Sequence, residues 1–142
     1  MDPLVLRAAT LIAVLLLACA VGLLLRRRAG RARSVTSGIR LDSADLAAPL
    51  GECATFVQFS SPACSPCRSV RRVLTDLAQA EPDLVHVELD ATERLDLAKR
   101  LGILRTPTVL LLDPGGRVVR RISGPITPAQ ARAAVPEPTR SR

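Results

Sequence analysis

Cys64-Ser65-Pro66-Cys67 is where residue type and spacing in this chain could together do covalent chemistry. Two thiols separated by two residues can meet within one helical turn and close to a disulfide. An apolar, β-forming run precedes the motif and a helical pattern follows it, and a C-x-x-C in that context reads as a redox pair. The start of a helix offers unpaired N–H groups and a partial positive charge. Both favour a thiolate, so Cys64 is the expected nucleophile, with a lowered pKa. Cys67 lies a turn further in, is expected to be more buried, and would resolve the mixed disulfide that Cys64 forms. Ser65 and Pro66 support the pair, and Pro66 fits a first turn because its missing N–H has no partner there anyway.

Other uses of these thiols fit less well. Structural zinc usually takes four ligands, whereas the chain has a single C-x-x-C and a single histidine, His86. No resident metal or cofactor is expected. Cys53 stands at the start of the strand leading to the motif, about 17–20 Å from Cys64 if that strand is straight, too far for a disulfide within one chain. Cys19 lies in an apolar run and reads as a small hydrophobe.

The elements that must position the pair follow from periodicity. Ala54–Ser60 is an apolar run of β formers, read as a strand buried on both faces. Residues 64–80 place Val70, Val73, Leu74, Leu77 and Ala78 at helical spacing, with Arg68, Arg71, Arg72 and Asp76 on the other side. Leu84–Asp90 is a second strand with alternation in its second half. Residues 93–101 form a helix stopped by Gly102. Residues 108–113 and 117–123 form a hairpin around Pro114-Gly115-Gly116. Thr127-Pro128-Ala129-Gln130 is a capping box opening a last helix to Ala134. A short edge strand at 39–41 and a short helix at 43–46 precede these. The order predicts a parallel βαβ unit extended by antiparallel strands, an α/β fold with a mixed central sheet.

Ahead of that domain, residues 3–25 are almost all apolar, with Arg7 the only charge, long enough to cross a bilayer, which takes roughly 20 such residues. The organisation expected is a transmembrane anchor at 1–25, a basic linker at 26–38, the folded domain at 39–135 and a flexible tail at 136–142. The formal charge of +7 does not imply nucleic-acid binding. Residues 1–40 hold seven arginines and one acid, whereas residues 41–142 hold thirteen basic and twelve acidic side chains. The excess thus sits beside the apolar run, and the absence of Trp and Tyr leaves little for bases to stack on. Arginines 26, 27, 28, 31 and 33 follow the apolar run directly, so the positive-inside rule places the folded domain on the cytoplasmic side, with the extracytoplasmic side as the alternative.

The run 54–74, containing Cys64-Ser65-Pro66-Cys67-Arg68, resembles the thioredoxin superfamily. Gly102-Ile103-Leu104-Arg105-Thr106-Pro107-Thr108 resembles its second signature, in which the proline follows a cis peptide bond. The resemblance covers roughly residues 39–135. It implies that Pro107 lies against Cys64 and Cys67 and that the backbone around Thr106 pairs with an extended substrate segment. Four positions depart from the family pattern. Ala63 replaces the usual Trp, Ser65 the usual Gly, Gln58 the buried Asp beneath the active site, and His86 the Lys that partners it. Gln58 cannot take a proton, but His86 can, with an ordinary pKa near 6.5. His86 is therefore a candidate proton relay to Cys67, the alternative being a hydrogen-bonded core histidine without catalytic duty.

Taken together, the sequence implies a membrane-tethered thiol–disulfide oxidoreductase that reduces protein disulfides, with an upstream dithiol donor of unspecified identity. Two other uses of such a domain stay open at this stage: a binding module without turnover, and a metal carrier using the C-x-x-C.

Overall fold

The most apolar strand of the folded domain stands at the centre of its sheet. In the computed structural model, which describes residues 3–28, 33–34 and 38–136, the elements in chain order are α1 (Pro3–Arg28), β1 (Arg33–Ser34), α2 (Ser43–Leu46), β2 (Ala54–Ser60), α3 (Cys67–Ala80), β3 (Leu84–Asp90), α4 (Leu95–Arg100), β4 (Thr108–Leu112), β5 (Val118–Ser123) and α5 (Pro128–Ala134). The sheet order is β1-β5-β4-β2-β3. β2 pairs parallel with β3 and antiparallel with β4, and β4 pairs antiparallel with β5. This is the mixed sheet expected from the element order. Every residue of β2 is buried, as a strand covered on both faces by helices requires.

The two faces carry separate apolar clusters. Val57 and Phe59 of β2, Val87 and Leu89 of β3, and Leu110 and Leu112 of β4 pack with Leu46 of α2 and Leu97 and Ala98 of α4. Ala54 and Phe56, Leu84, and Val109 and Leu111 pack on the other face with Val70, Leu74 and Leu77 of α3 and Ala131 and Ala134 of α5. The strand period of two sends alternate residues of one strand to opposite helix layers.

Local chemistry fixes the ends of several elements. Thr127 and Gln130 form the expected capping box, with Gln130 N–H donating to Thr127 Oγ1 at 3.2 Å and Thr127 N–H donating to Gln130 Oε1 at 2.9 Å. Gly102 follows α4 at φ +61, the left-handed geometry that ends helices. Gly116, at φ +78, closes the β4–β5 turn so tightly that a Cβ would meet the Leu41 carbonyl oxygen.

Three elements differ from the sequence reading. Helix α3 starts at Cys67 and not at Cys64: residues 61–67 form successive turns, with Cys64 N–H donating to the Ser61 carbonyl and Cys67 N–H to the Cys64 carbonyl. Pro66 is the cap residue, and its carbonyl accepts the first helical bond, from Val70 N–H at 3.2 Å. The expected edge strand at 39–41 is a single bridge, Arg40 opposite Arg117. Pairing with β5 instead begins at Arg33 and Ser34, inside the stretch read as a linker, because the outer edge of β5 offers unpaired main-chain groups that an adjacent chain can satisfy. Of the tail 136–142, all but Pro136 lies outside the described residues.

Helix α1 contains Val5–Leu25, 21 residues with a mean hydropathy of 2.8. At 1.5 Å per residue it is about 30 Å long, the thickness of a bilayer's hydrocarbon core. Its leucines, valines and Ile12 are exposed along the whole stretch, as is Cys19.

Candidate active site

β2 delivers the chain to the C-terminal end of the sheet, where Ser61 and Pro62 turn it into the C-x-x-C. Cys64 and Cys67 form a disulfide with their Cα atoms 5.4 Å apart. The two halves are unequally accessible. Cys64 is half-buried and borders an open hollow with Pro62, Ala63, Ser65 and Arg68. Cys67 is only 2% exposed, enclosed by the first turn of α3. An incoming sulfur can reach Cys64 from solvent, and Cys67 can be reached only from Cys64. Cys67 is thus the more buried of the two, as expected from the sequence.

The second signature sits beside this turn. The Thr106–Pro107 peptide bond is cis. Thr106 Oγ1 and Ser61 Oγ share a hydrogen bond of 3.0 Å, which ties the proline loop to the segment leading into the disulfide. The loop is held from its other sides too. Gly124 N–H donates to the Pro107 carbonyl at 2.8 Å, and Thr108 Oγ1 donates to the Arg105 carbonyl at 2.8 Å. The Arg121 guanidinium donates to the carbonyls of Leu101 and Gly102, capping the end of α4 that leads into the loop. Among the described residues, no hydrogen bond engages the main-chain N–H or C=O of Thr106. Both groups are left for an extended segment to pair with, in the manner of an added strand.

Behind Cys67 the α3 face of the sheet is polar. Gln58, His86 and Glu88 all point to this face because Phe56 pairs with His86 and Gln58 with Glu88 in the parallel β2–β3 register, and Phe56 packs under α3. Gln58 is fully buried. Its Nε2 donates to the Cys67 carbonyl at 3.0 Å, and its Oε1 lies 3.2 Å from His86 Nε2. His86 Nδ1 lies 3.2 Å from Thr75 Oγ1. An amide oxygen only accepts, so His86 Nε2 carries the proton and Nδ1 accepts from the Thr75 hydroxyl. Arg71 pairs with Glu88 through two hydrogen bonds, one of them 2.9 Å from Nη2 to Oε1.

Burial lowers the His86 pKa first of all. The Glu88 carboxylate works against that shift and the Arg71 guanidinium adds to it. Partial burial alone would raise the Glu88 pKa, but hydrogen bonds from Arg71 and Ser60 and the charges of Arg71 and His86 outweigh it and bring the pKa down. At neutral pH the cluster is therefore a neutral imidazole, a neutral amide and a closed ion pair.

The structure thus brings Cys64, Cys67, Ser65, Pro66, Gln58, Thr106 and Pro107 to one end of the sheet and links His86 to them through Gln58. Among the described hydrogen bonds, His86 reaches the Gln58 amide and not a cysteine sulfur. Arg71, Thr75, Glu88 and Ser61 were not picked out from the sequence. A usable signal existed for three of them: Arg71 and Thr75 follow Cys67 at steps of four on one helix flank, and Glu88 follows His86 by two on one strand face. By helical spacing Arg71 falls on the side of α3 away from the apolar residues. Its long stem lets it reach back over the flank of α3 to Glu88.

Comparisons with known proteins agree with this geometry. The chain is 35% identical over 75 residues to a thioredoxin of Alicyclobacillus acidocaldarius, covering 52% of this chain and 70% of that protein. It is 30% identical over 78 residues to a putative thioredoxin H10 of Arabidopsis thaliana, covering 55% of this chain but only about half, 51%, of that protein's length. The crystal structure of oxidised mitochondrial thioredoxin 3 from Saccharomyces cerevisiae superposes with a TM-score of 0.53 at 28% identity, covering 59% of this chain and 77% of that one. The thioredoxin family model matches residues 46–136, more than half of the chain, and takes in both the dithiol and the cis-proline signature. On that match and this geometry, the chain belongs to the thioredoxin family.

Proposed function

We propose that this protein is a membrane-tethered thiol–disulfide oxidoreductase that reduces protein disulfides through Cys64 and Cys67. The observation that carries the reading is the unequal pair: an accessible Cys64 and an enclosed Cys67, closed to one disulfide beside a cis-proline loop with free main-chain groups. In the reduced form the Cys64 thiolate attacks one sulfur of the substrate disulfide. A mixed disulfide forms, and the first substrate sulfur leaves as a thiolate and takes up a proton. The Cys67 thiol loses its proton and attacks the Cys64 sulfur. The Cys64–Cys67 bond forms, and the second substrate sulfur leaves and is protonated. Two electrons and two protons pass to the substrate, and a dithiol donor restores the pair.

Thr106 and Pro107 would align the substrate strand. Gln58 holds the Cys67 carbonyl, and His86 acts through Gln58 as a positioning residue. The hydrophobic α1 supports the tether, and the arginines that follow it favour a domain on the cytoplasmic side. There the reducing environment drives the pair toward its dithiol form.

Insulin reduction by the full chain in detergent, with dithiothreitol as donor, tests the reading. Wild type should accelerate precipitation of the insulin B chain, and Cys64→Ser should fall to the uncatalysed rate. A wild-type rate equal to that of Cys64→Ser would leave a binding module in place of an enzyme.

A further inference from the structure

The direction of β1 says which end of the domain the anchor enters. β2 runs toward the dithiol, since Ser60 is followed by the turn that carries Cys64. β4 starts at that same end, directly after Pro107, and runs away from it. β5 is antiparallel to β4, so it returns: its last residue, Ser123, faces Thr108. β1 is antiparallel to β5, with Arg33 opposite Arg121 and Ser34 opposite Arg120, and the edge continues to Arg40 opposite Arg117. The chain coming from α1 therefore meets the sheet at the dithiol end and runs away from it.

The chain between anchor and sheet is short. Helix α1 ends at Arg28 and β1 begins at Arg33. Those five Cα steps reach at most about 18 Å. Arg33 lies two positions from the level of Ser123, about 7 Å along the strand. The row β1-β5-β4-β2 spans three strand spacings, about 14 Å. A domain turned the other way, with the Pro114–Gly116 turn against the bilayer, would need those five steps to run back about 15 Å along β5. That would use nearly their whole reach and leave little to clear the headgroups.

We infer that the dithiol end of the sheet faces the bilayer, and that the redox partner is a disulfide or dithiol of a protein embedded in that same membrane. This rests on the tethered reading proposed above. A second feature of the same end agrees with it. Leu104, in the loop leading to Thr106–Pro107, is 95% exposed, with exposed Arg105 beside it and exposed Arg68 bordering the Cys64 hollow. A wholly exposed leucine flanked by guanidiniums is poorly placed in water but suits a partner whose apolar surface emerges among anionic headgroups.

Orientation is tested on the full chain in nanodiscs of phosphatidylcholine and phosphatidylglycerol. Cys64 and Cys67 are replaced by Ser and Cys19 and Cys53 by Ala, and a donor dye is attached at Leu104→Cys or at Pro114→Cys. Energy transfer to headgroup acceptors should place the Leu104 dye closer to the bilayer by about 15–20 Å, the length of β5. Equal distances, or a closer Pro114, would overturn the orientation.

Turnover supplies the second arm, using the wild-type pair and a variant with twenty Gly/Ser residues inserted between Gly30 and Arg31 (both chains anchored, only one held). A disulfide peptide tethered closely to a headgroup should be reduced about tenfold faster by wild type. Free insulin should be reduced at similar rates by both. Equal rates on the tethered peptide would also overturn the inference. A chain that fails to float with vesicles would remove the anchor itself, whereas a chain that floats but does not reduce insulin would remove the redox reading. The dye distances are independent of turnover.

Discussion

The two faces of the central sheet are built on different terms. The face under α2 and α4 is mainly apolar, with Val57, Phe59, Val87, Leu89, Leu110 and Leu112 in one cluster, and its polar side chains include Thr55, Thr108 and Arg121. The face under α3 and α5 is apolar along β4 and β5, with Val109, Leu111 and Ile122, and on β2 and β3 at Ala54, Phe56 and Leu84, which pack with Leu74 and Leu77. On β2 and β3 it turns polar toward the dithiol, with His86 beside Phe56 and then Gln58 beside Glu88. A core that tolerates buried polar groups gives up hydrophobic stabilisation there and must satisfy each group with a partner. Here the partners tie the strip to α3: the Cys67 carbonyl binds Gln58, Gln58 binds His86, His86 meets Thr75, and Glu88 pairs with Arg71. Both faces hold apolar core, but only the one under α3 carries a hydrogen-bonded polar strip that reaches the Cys67 backbone.

That contrast can be broken at either face, and the effects should fall in a set order. Phe59→Ala on the apolar face should cost most in stability, about 3–5 kcal/mol, read as a lower denaturant midpoint, with insulin reduction by the protein that remains folded unchanged. A comparable loss of specific activity would mean that the apolar face also serves the site. Gln58→Ala should cost less stability, about 1–3 kcal/mol, from leaving His86 Nε2 without its partner and the Cys67 carbonyl with only its helical one. Its signature should be kinetic: mixed disulfide between Cys64 and substrate should accumulate on quenching, because Cys67 is no longer held for attack. A Gln58→Ala protein that resolves as fast as wild type would reduce Gln58 to a structural role.

His86 should give the smallest effect, and one that depends on pH. Its folded pKa lies below the ordinary 6.5, so the unfolded chain binds the proton first as pH falls. Stability should therefore decline as pH drops below about 7 and level off once pH is under the folded value. His86→Ala should flatten that decline. Glu88, also lowered, acts in the same direction but around its ordinary 4.5 and below, in a separate window. If His86 positions Cys67 through Gln58, the pH–rate profile of disulfide reduction between about pH 6 and 8 should also change in His86→Ala. A flattened stability curve with an unchanged rate profile would leave His86 as a satisfied core residue only.

Much of this arrangement was legible before any coordinates. The bounds of β2, β3 and α5, and the capping box at Thr127, follow from local signals: an unbroken apolar run, a strand bracketed by turns, a side chain spaced to meet an N–H three residues on. The dithiol and the cis-proline signature were readable because their chemistry depends on adjacent residues. The clamp behind Cys67 was only half visible. Gln58 and His86 stood out as departures from a family pattern, but Arg71, Thr75 and Glu88 did not, since nothing local links a helix flank to a strand across 11 or 17 residues. The edge pairing of Arg33 and Ser34 had no local sign either, because a polar, arginine-rich stretch reads as linker until another strand offers it an open edge.

The amino-acid sequence alone determined that this chain has an apolar helix long enough for a bilayer, a redox-competent pair of thiols and the strands and helices to carry them. Each of these depends on neighbours along the chain, within a helical turn or a strand repeat. Tertiary structure decided that His86 reaches the Cys67 backbone through an amide, and that the chain leaving α1 enters the sheet at its dithiol end. Those depend on register and strand direction, which only the packing of distant segments sets.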